Sequence, residues 1–321
     1  MNAPAGQPQR AAIIGTGLVG ASWAVVFARA GWQVALYDHA AGMAAIALQR
    51  IGANLEELAR RELLAEPASA VWGRIESCPT LEAALLGAQW IQESIAERLQ
   101  DKRDLFARLD AVAGVDAWLA SSTSAFATSV FAESLAGRAR CFVAHPVNPP
   151  HLVPLVEVSG APFTSPAVIE GAVLTLLALG QSPVVLRREV HGFLLNRLQW
   201  ALLAEAYRLV ASGVASVDDL DTVVRDGLGR RWAFMGPFEV GDLNAPAGLR
   251  DYFERFGPTI ERIAAEGAAA PLQLSTPATW GMHAARRERL PDSDRAERVA
   301  WRDRRLMELA QLLARQGSED A

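Results

Sequence analysis

The sequence predicts an α/β domain built on a doubly wound, largely parallel sheet, followed by an all-helical domain. Three observations predict it. The turn Gly15-Thr16-Gly17-Leu18-Val19-Gly20 sits between a short apolar run and a helical segment, and Asp38 closes the next apolar run. Apolar runs then alternate with helical patterns as far as Arg188, the texture of βαβ units. Beyond Arg188 strand signals become scarce and apolar residues recur at helical spacing. The expected domains are therefore 1–188 and 189–321.

Taken in order, residues 1–9 are polar and proline-containing, a loose tail. Ala11 to Ile14 reads as a strand, Ala21 to Ala30 as a helix ended by Gly31, and Gln33 to Tyr37 as a second strand. A helix is expected from about Ala40 to Leu64. Strands follow at Trp90 to Glu93 and Ala117 to Ala120, with a helix over Lys102 to Ala113 between them. Arg140 to Ala144 and Leu155 to Val158 form an adjacent strand pair that breaks the alternation, and antiparallel pairing is expected there. A helix near Ser165 to Leu179 and a strand over Pro183 to Leu186 complete the first domain. In the second, His191 to Ala211 has helical spacing, and Ser216 with Asp219 resembles a capping box opening the next helix.

Composition narrows the function classes. A net charge of −5 in 321 residues argues against a nucleic-acid surface, which needs clustered positive charge. No apolar stretch approaches the roughly 18 residues of a membrane span, and the N-terminal residues lack an apolar signal-peptide core. Two cysteines, Cys78 and Cys141, fit a reducing compartment and read as small buried apolar residues, so a cytoplasmic location is expected. No metal site is expected. Of 31 basic residues only Lys102 is lysine, which suggests a use for a compact ammonium there. The Arg-rich stretch 286–305 is interleaved with Asp and Glu and reads as a solvated helix face.

A GxGxxG turn is weak evidence alone, but between a strand and a helix, with an acid ending the next strand, it is the dinucleotide fingerprint of a Rossmann-type domain. Gly15 permits the tight turn, Gly17 admits a pyrophosphate against the backbone, and Gly20 lets the helix pack on the sheet. With Leu18 and Val19 they form the cofactor turn, at a helix N-terminus that favours anions. Asp38 accepts from adenosine ribose hydroxyls and repels a 2′-phosphate, which points to NAD.

Ligands of such a sheet bind at the carboxyl ends of its strands. Glu93 to Glu97, Ser121 to Ser124 and His145 follow three of those ends, and Asn196 is expected one turn inside the first helix of the second domain. A histidine, hydroxyls and an amide around a nicotinamide supply a base for a carbinol proton and donors for the developing carbonyl. Alternatives stay open at each position. His145 could cap strand carbonyls, and His151 is a rival base that among prolines more plausibly lines the loop or faces solvent. Ser124 could be a helix N-cap, and Trp232 and Phe234 read as core.

The motifs GTGLVG at 15–20, QESIAERLQDK at 92–102, SSTS at 121–124 and AHPVNPP at 144–150 make the chain resemble the 3-hydroxyacyl-CoA dehydrogenase superfamily. GFLLNRLQ at 192–199, GLGRRWAFMGPFE at 227–239 and DLNAPAG at 242–248 extend the resemblance to its lambda-crystallin, or L-gulonate 3-dehydrogenase, branch. The resemblance implies that His145 is the base, oriented by Glu157, and that Ser124 and Asn196 contact the reacting oxygen or neighbouring substrate atoms. It also implies cofactor contacts from Ser122, Glu97 and Lys102, the last donating to nicotinamide-ribose hydroxyls, and a homodimer formed through the helical domain.

Departures from the acyl-CoA pattern bear on the substrate. The loop reads HPVNP where thioester enzymes read HFFNP, and a longer segment before Gly236-Pro237 brings in Arg231. The planar fork of Arg231 suits a free carboxylate, unless it is paired structurally with Glu239. The expected reaction is oxidation of a small free 3-hydroxy acid such as L-gulonate. A 3-hydroxyacyl-CoA or carnitine dehydrogenase is the alternative among enzymes, and an idle, NAD-binding crystallin is the alternative of another class.

Overall fold

The computed structural model describes residues 9–269, 273–274 and 277–317, so all but the last residue of the expected tail lies outside it. Strand β1 (Arg10–Ile14) has four of its five residues buried, as a strand covered on both faces must. Helix α1 (Leu18–Arg29) buries nine of twelve residues. Gly20 is required for that close seating, because a Cβ there would lie 2.0 Å from the Gly15 carbonyl oxygen. β2 (Gln33–Tyr37) then forms where the sequence places it, and α2 (Met43–Arg60) is somewhat shorter than expected.

The small elements α3 (Ala68–Trp72), β3 (Ile75–Ser77) and α4 (Leu81–Leu85) were not legible in the sequence. In β3 only Ile75 is buried, so an edge strand of three residues offers no alternation to read. β4 (Trp90–Glu93), α5 (Leu99–Val112), β5 (Trp118–Ser121) and α6 (Thr128–Ala132) follow. β6 (Cys141–Pro146), β7 (Leu155–Gly160), α7 (Pro166–Ala178) and β8 (Ser182–Val185) complete the sheet domain.

The eight strands lie in the order β3-β2-β1-β4-β5-β6-β7-β8. All neighbours are parallel except β6 and β7, as expected for that pair. The reason lies in residues 147–154, too few for the crossover that parallel neighbours need, so the chain turns back beside itself. That loop contains a cis bond between Asn148 and Pro149. One face of the sheet packs Trp23, Phe27, Trp90 and Phe142, with the Trp90 and Phe142 rings edge to face at 5.3 Å. The other packs Phe106, Leu109, Leu119 and Phe131.

Contacts divide the chain into residues 1–197 with 300–321, and residues 198–299. Helix α8 (Leu195–Ala211) starts four residues later than expected, since 191–194 form a turn with Phe193 at φ +49. Asn196 is consequently its second residue, not one turn inside it. In the second unit α9 (Val217–Thr222) opens with the Ser216–Asp219 capping box that the sequence suggested. A wider-wound segment, 223–228, leads into α10 (Gly229–Trp232), then α11 (Pro237–Leu243), α12 (Leu249–Ala269) and α13 (Pro277–Arg289).

The Arg-rich stretch is solvated as expected, and part of it ties α13 to α9, with Arg286 bridging Asp218 and Asp221 and Arg289 donating to Asp218 at 2.6 Å. Two expectations need correcting here. Trp232 and Phe234 are exposed in the chain, not core. Cys141 is buried, whereas Cys78 is half-buried. The last helix, α14 (Arg295–Gly317), has residues 300–317 in the first unit, where Met307 and Leu306 join its core and Glu308 pairs with Arg61.

Candidate active site

His145 and Glu157 are directly opposite each other in the β6–β7 register. Cross-strand partners on one face stand close enough for side chains to meet, and His145 Nδ1 lies 2.8 Å from Glu157 Oε2. The other carboxylate oxygen accepts from the Leu194 and Leu195 amides at 2.6 and 2.9 Å. The left-handed backbone at Phe193, which costs a non-glycine residue about 1–3 kcal/mol, directly precedes both amides. Phe193 is itself buried, with its ring 5.3 Å from the imidazole.

Burial acts to raise the Glu157 carboxyl, but hydrogen bonds from His145, Leu195 and Leu194 outweigh it and hold the group below its ordinary range. An ionised carboxylate only accepts, so Nδ1 carries the proton and a neutral ring has its lone pair at Nε2. Among the described residues Nε2 has no hydrogen-bond partner. This arrangement can take a proton at one defined atom and stabilise the resulting cation.

The hydroxyl cluster after β5 divides into held and free members. Ser121 Oγ donates to Glu93 at 2.5 Å. Ser122 Oγ is surrounded by Trp23 Nε1, Gln92 Nε2 and Ser94 Oγ at 3.2, 2.7 and 2.9 Å. Thr123 Oγ1 donates to Glu97, which also accepts from the Ser124 and Ala125 amides at 3.1 and 3.0 Å. Ser124 is exposed, and among the described residues its hydroxyl has no partner. Asn196 Nδ2 donates to the Ser124 carbonyl at 3.2 Å, bringing these two residues together.

Lys102 departs from expectation. Its ammonium is 1% exposed and lies 2.8 Å from Glu93 and 3.3 Å from Glu97. Enclosed between two carboxylates, it braces the site from beneath instead of presenting a free point charge. Glu93, which the sequence shows only as part of a polar run, stands at the end of a fully buried strand. The signal available was a carboxylate in an apolar strand, nine residues before the chain's single lysine. His151 does not face solvent but lines the 147–154 loop, one of its two expected settings. It is 6% exposed, its Nδ1 is buried without a partner, and burial with the nearby Arg29 charge lowers its pKa to about 4.

The residues of the glycine turn fit a dinucleotide. Gly15 has φ +90, and a Cβ there would lie 2.7 Å from the Ser94 backbone. A Cβ on Gly17 would meet nothing within 4 Å, so space remains against the backbone where α1 begins. That helix has no side-chain cap and no acidic residue in its first turn, leaving its amides for an anion. Asp38 Oδ2 accepts from the Thr16 amide and hydroxyl at 2.7 and 3.0 Å, while Oδ1 accepts from Ala40 N at 3.0 Å. Oδ1 thus retains acceptor capacity for a ribose hydroxyl. A cavity of about 570 Å³ opens beside Gly15, Tyr37, Ile95 and Arg108. Arg231, in α10 of the other unit, is exposed, and among the described residues it has no ion-pair partner, Glu239 included.

A doubly wound sheet, a glycine turn at a free helix N-terminus and an oriented histidine define a dinucleotide-dependent oxidoreductase. Residues 10–190 match the family model of the 3-hydroxyacyl-CoA dehydrogenase NAD-binding domain, and 192–271 match its C-terminal domain. The chain belongs to the 3-hydroxyacyl-CoA dehydrogenase family, and its cofactor is NAD. It is 42% identical to a lambda-crystallin homolog of Bos taurus, over 95% of this chain and 96% of the relative. It is 41% identical to an L-carnitine dehydrogenase of Pseudomonas putida, over 78% of this chain and 77% of the relative. Among solved structures, a 5-formyl-3-hydroxy-2-methylpyridine 4-carboxylic acid 5-dehydrogenase, described as an NAD+-dependent dismutase, is similar at a TM-score of 0.78. That match has 26% identity and covers 96% of this chain and 99% of the other. A 3-hydroxybutyryl-CoA dehydrogenase of Escherichia coli is similar at a TM-score of 0.65 and 31% identity, covering 78% of this chain and 53% of the other. The chain is an NAD-dependent hydroxy-acid or hydroxyacyl dehydrogenase.

Proposed function

We propose that this protein oxidises the C3 hydroxyl of a small free 3-hydroxy acid, L-gulonate-like, to the 3-oxo acid. The observation that carries the reading is the His145–Glu157 pair, with both carboxylate oxygens engaged and Nε2 without a partner among the described residues. His145 Nε2 takes the hydroxyl proton, and Glu157 fixes the ring's tautomer and stabilises the imidazolium. The Ser124 hydroxyl and the Asn196 amide hold the reacting oxygen or its neighbours. The 15–20 turn and Asp38 would hold NAD, which would supply the hydride acceptor. Ser122, Glu97 and Lys102 shape the nicotinamide end, the lysine through Glu97.

Arg231 is read as the clamp for the substrate carboxylate, supported by a guanidinium that has no ion-pair partner among the described residues. The L-carnitine dehydrogenases among the relatives are named for a free 3-hydroxy acid, which favours the same class. The decisive experiment follows NADH absorbance with L-gulonate, L-3-hydroxybutyrate, L-carnitine and 3-hydroxybutyryl-CoA side by side. Turnover of L-gulonate or another free acid is expected, whereas efficient turnover of the thioester alone would sink the reading. No turnover of any substrate, with NAD bound, would favour an idle crystallin-like role. An Arg231→Met variant should raise KM for the acid and spare NAD affinity.

The helical domain is read as the surface of a homodimer, supported by exposed Trp200, Phe253, Phe256 and Ile260. Sedimentation giving a monomer at micromolar concentration would contradict it. The cytoplasm is read as its compartment, supported by two free cysteines, and cell fractionation checks this.

A further inference from the structure

The Glu93–Lys102 pair is a costly thing to build. Both side chains are at most 1% exposed, and an ion pair that deep recovers its desolvation only with further hydrogen bonds. Glu93 has them: Oε1 accepts from Lys102 Nζ at 2.8 Å and from the Ile95 amide at 2.7 Å, and Oε2 from Ser121 Oγ at 2.5 Å. The pair does not end there. Lys102 Nζ also faces Glu97 Oε2 at 3.3 Å. The opposite oxygen of Glu97 gathers the Thr123 hydroxyl and the Ser124 and Ala125 amides. A single half-exposed carboxylate is thereby held from behind by an ammonium and holds, in front, the turn that presents Ser124.

We propose that Glu93 is a positioning residue for the reaction, acting through Lys102 and Glu97 to fix the 123–125 turn. The proposal rests on the reading of Ser124 as a substrate contact given above. Its physical logic is charge balance. With Glu93 in place, Lys102 is shared between two carboxylates, and Glu97 is left free to serve the turn. With Glu93 neutral, the ammonium has Glu97 as its one charged partner among the described residues. The pull between them strengthens at the expense of the hydrogen bonds that Glu97 makes to the turn. A purely structural Glu93 would instead cost stability alone.

The test uses the full-length protein and Glu93→Gln, which keeps the shape and removes the charge. Hydrogen exchange of the free enzyme reads the turn directly, without reference to activity. The Ser124 and Ala125 amides are expected to exchange at least about tenfold faster, while amides of the 15–20 turn are unchanged. ADP-ribose affinity is expected to stay within about twofold. With whichever substrate the side-by-side assay identifies, kcat should fall by about ten- to a hundredfold, more than KM changes. Glu97→Gln should produce the same exchange signature, and Glu93→Gln added to it should have little further effect on exchange or kcat. Should Glu93→Gln not fold, Glu93→Asp takes its place: its shorter arm draws the carboxylate away from the Lys102 ammonium, 2.8 Å distant in the wild type, so the same changes are expected in the same direction and smaller in size. Unchanged exchange at 124 and 125, or losses that add fully in the double variant, would overturn the proposal. An enzyme inert towards every substrate, yet with the exchange signature present, would refute the functional reading and leave the Glu93 linkage standing.

Discussion

Two buried acid–base pairs are anchored on strands of one sheet, and they are built to opposite specifications. Glu93 and Lys102 spend their charge inward, on each other, Ser121, the Ile95 amide and Glu97. Glu157 is equally saturated, but its partner His145 is not: Nδ1 is taken, and among the described residues Nε2 is left over. A saturated pair can only hold shape, because any change of protonation breaks a bond already made. A pair with one defined vacancy can take a proton without dismantling its frame. The contrast separates a brace from a candidate base more clearly than residue type does.

The largest expected effect breaks the second pair. His145→Gln should lower kcat by about 10² to 10⁴ while the melting temperature stays close to wild type, measured by steady-state NADH formation and calorimetry. Lys102→Met should do the reverse in kind, because it leaves the Glu93 charge buried and unpaired. About 3–5 kcal/mol of unfolding free energy should be lost in urea titrations. If Lys102→Met is as stable as wild type, the brace is not one.

His151 sharpens the comparison as a buried titratable group that is neither braced nor poised. Its folded pKa, about 4, lies below the unfolded value of about 6.5. Between those values the unfolded chain binds more protons, so this group lowers stability as pH falls through that window, by on the order of 3 kcal/mol at most. His151→Leu should flatten the melting-temperature profile between about pH 6.5 and 4. A profile unchanged from wild type would show that His151 is not buried as described.

Glu157 acts at lower pH. Its depressed pKa means its stabilisation is full above the ordinary carboxylate range and is lost as pH falls through the lowered value. Glu157→Gln should therefore be less acid-sensitive below about pH 4, by the smallest margin of the four. A steeper acid limb in the variant would contradict the assignment.

Much of this was legible in the chain. Continuous apolar runs become the buried parallel strands, and the glycine turn folds between a strand and a helix, because both depend on neighbours in sequence. The antiparallel β6–β7 pair followed from a proline-rich loop too short for a crossover. The short edge strand β3 and the start of α8 were not legible, since one was too brief for a pattern and the other was delayed by the left-handed turn at Phe193.

The sequence by itself determined the succession of the longer strands and helices, the cofactor turn and the presence of a histidine and a glutamate twelve residues apart. Only the tertiary structure decided what each charge touches. Register placed Glu157 opposite His145, and the packing of α5 against the sheet enclosed Lys102 between Glu93 and Glu97. The turn before α8 aimed two amides at Glu157. These are contacts between residues far apart in the chain. Their energies depend on burial and on the last few tenths of an ångström, quantities that no local pattern of residues encodes.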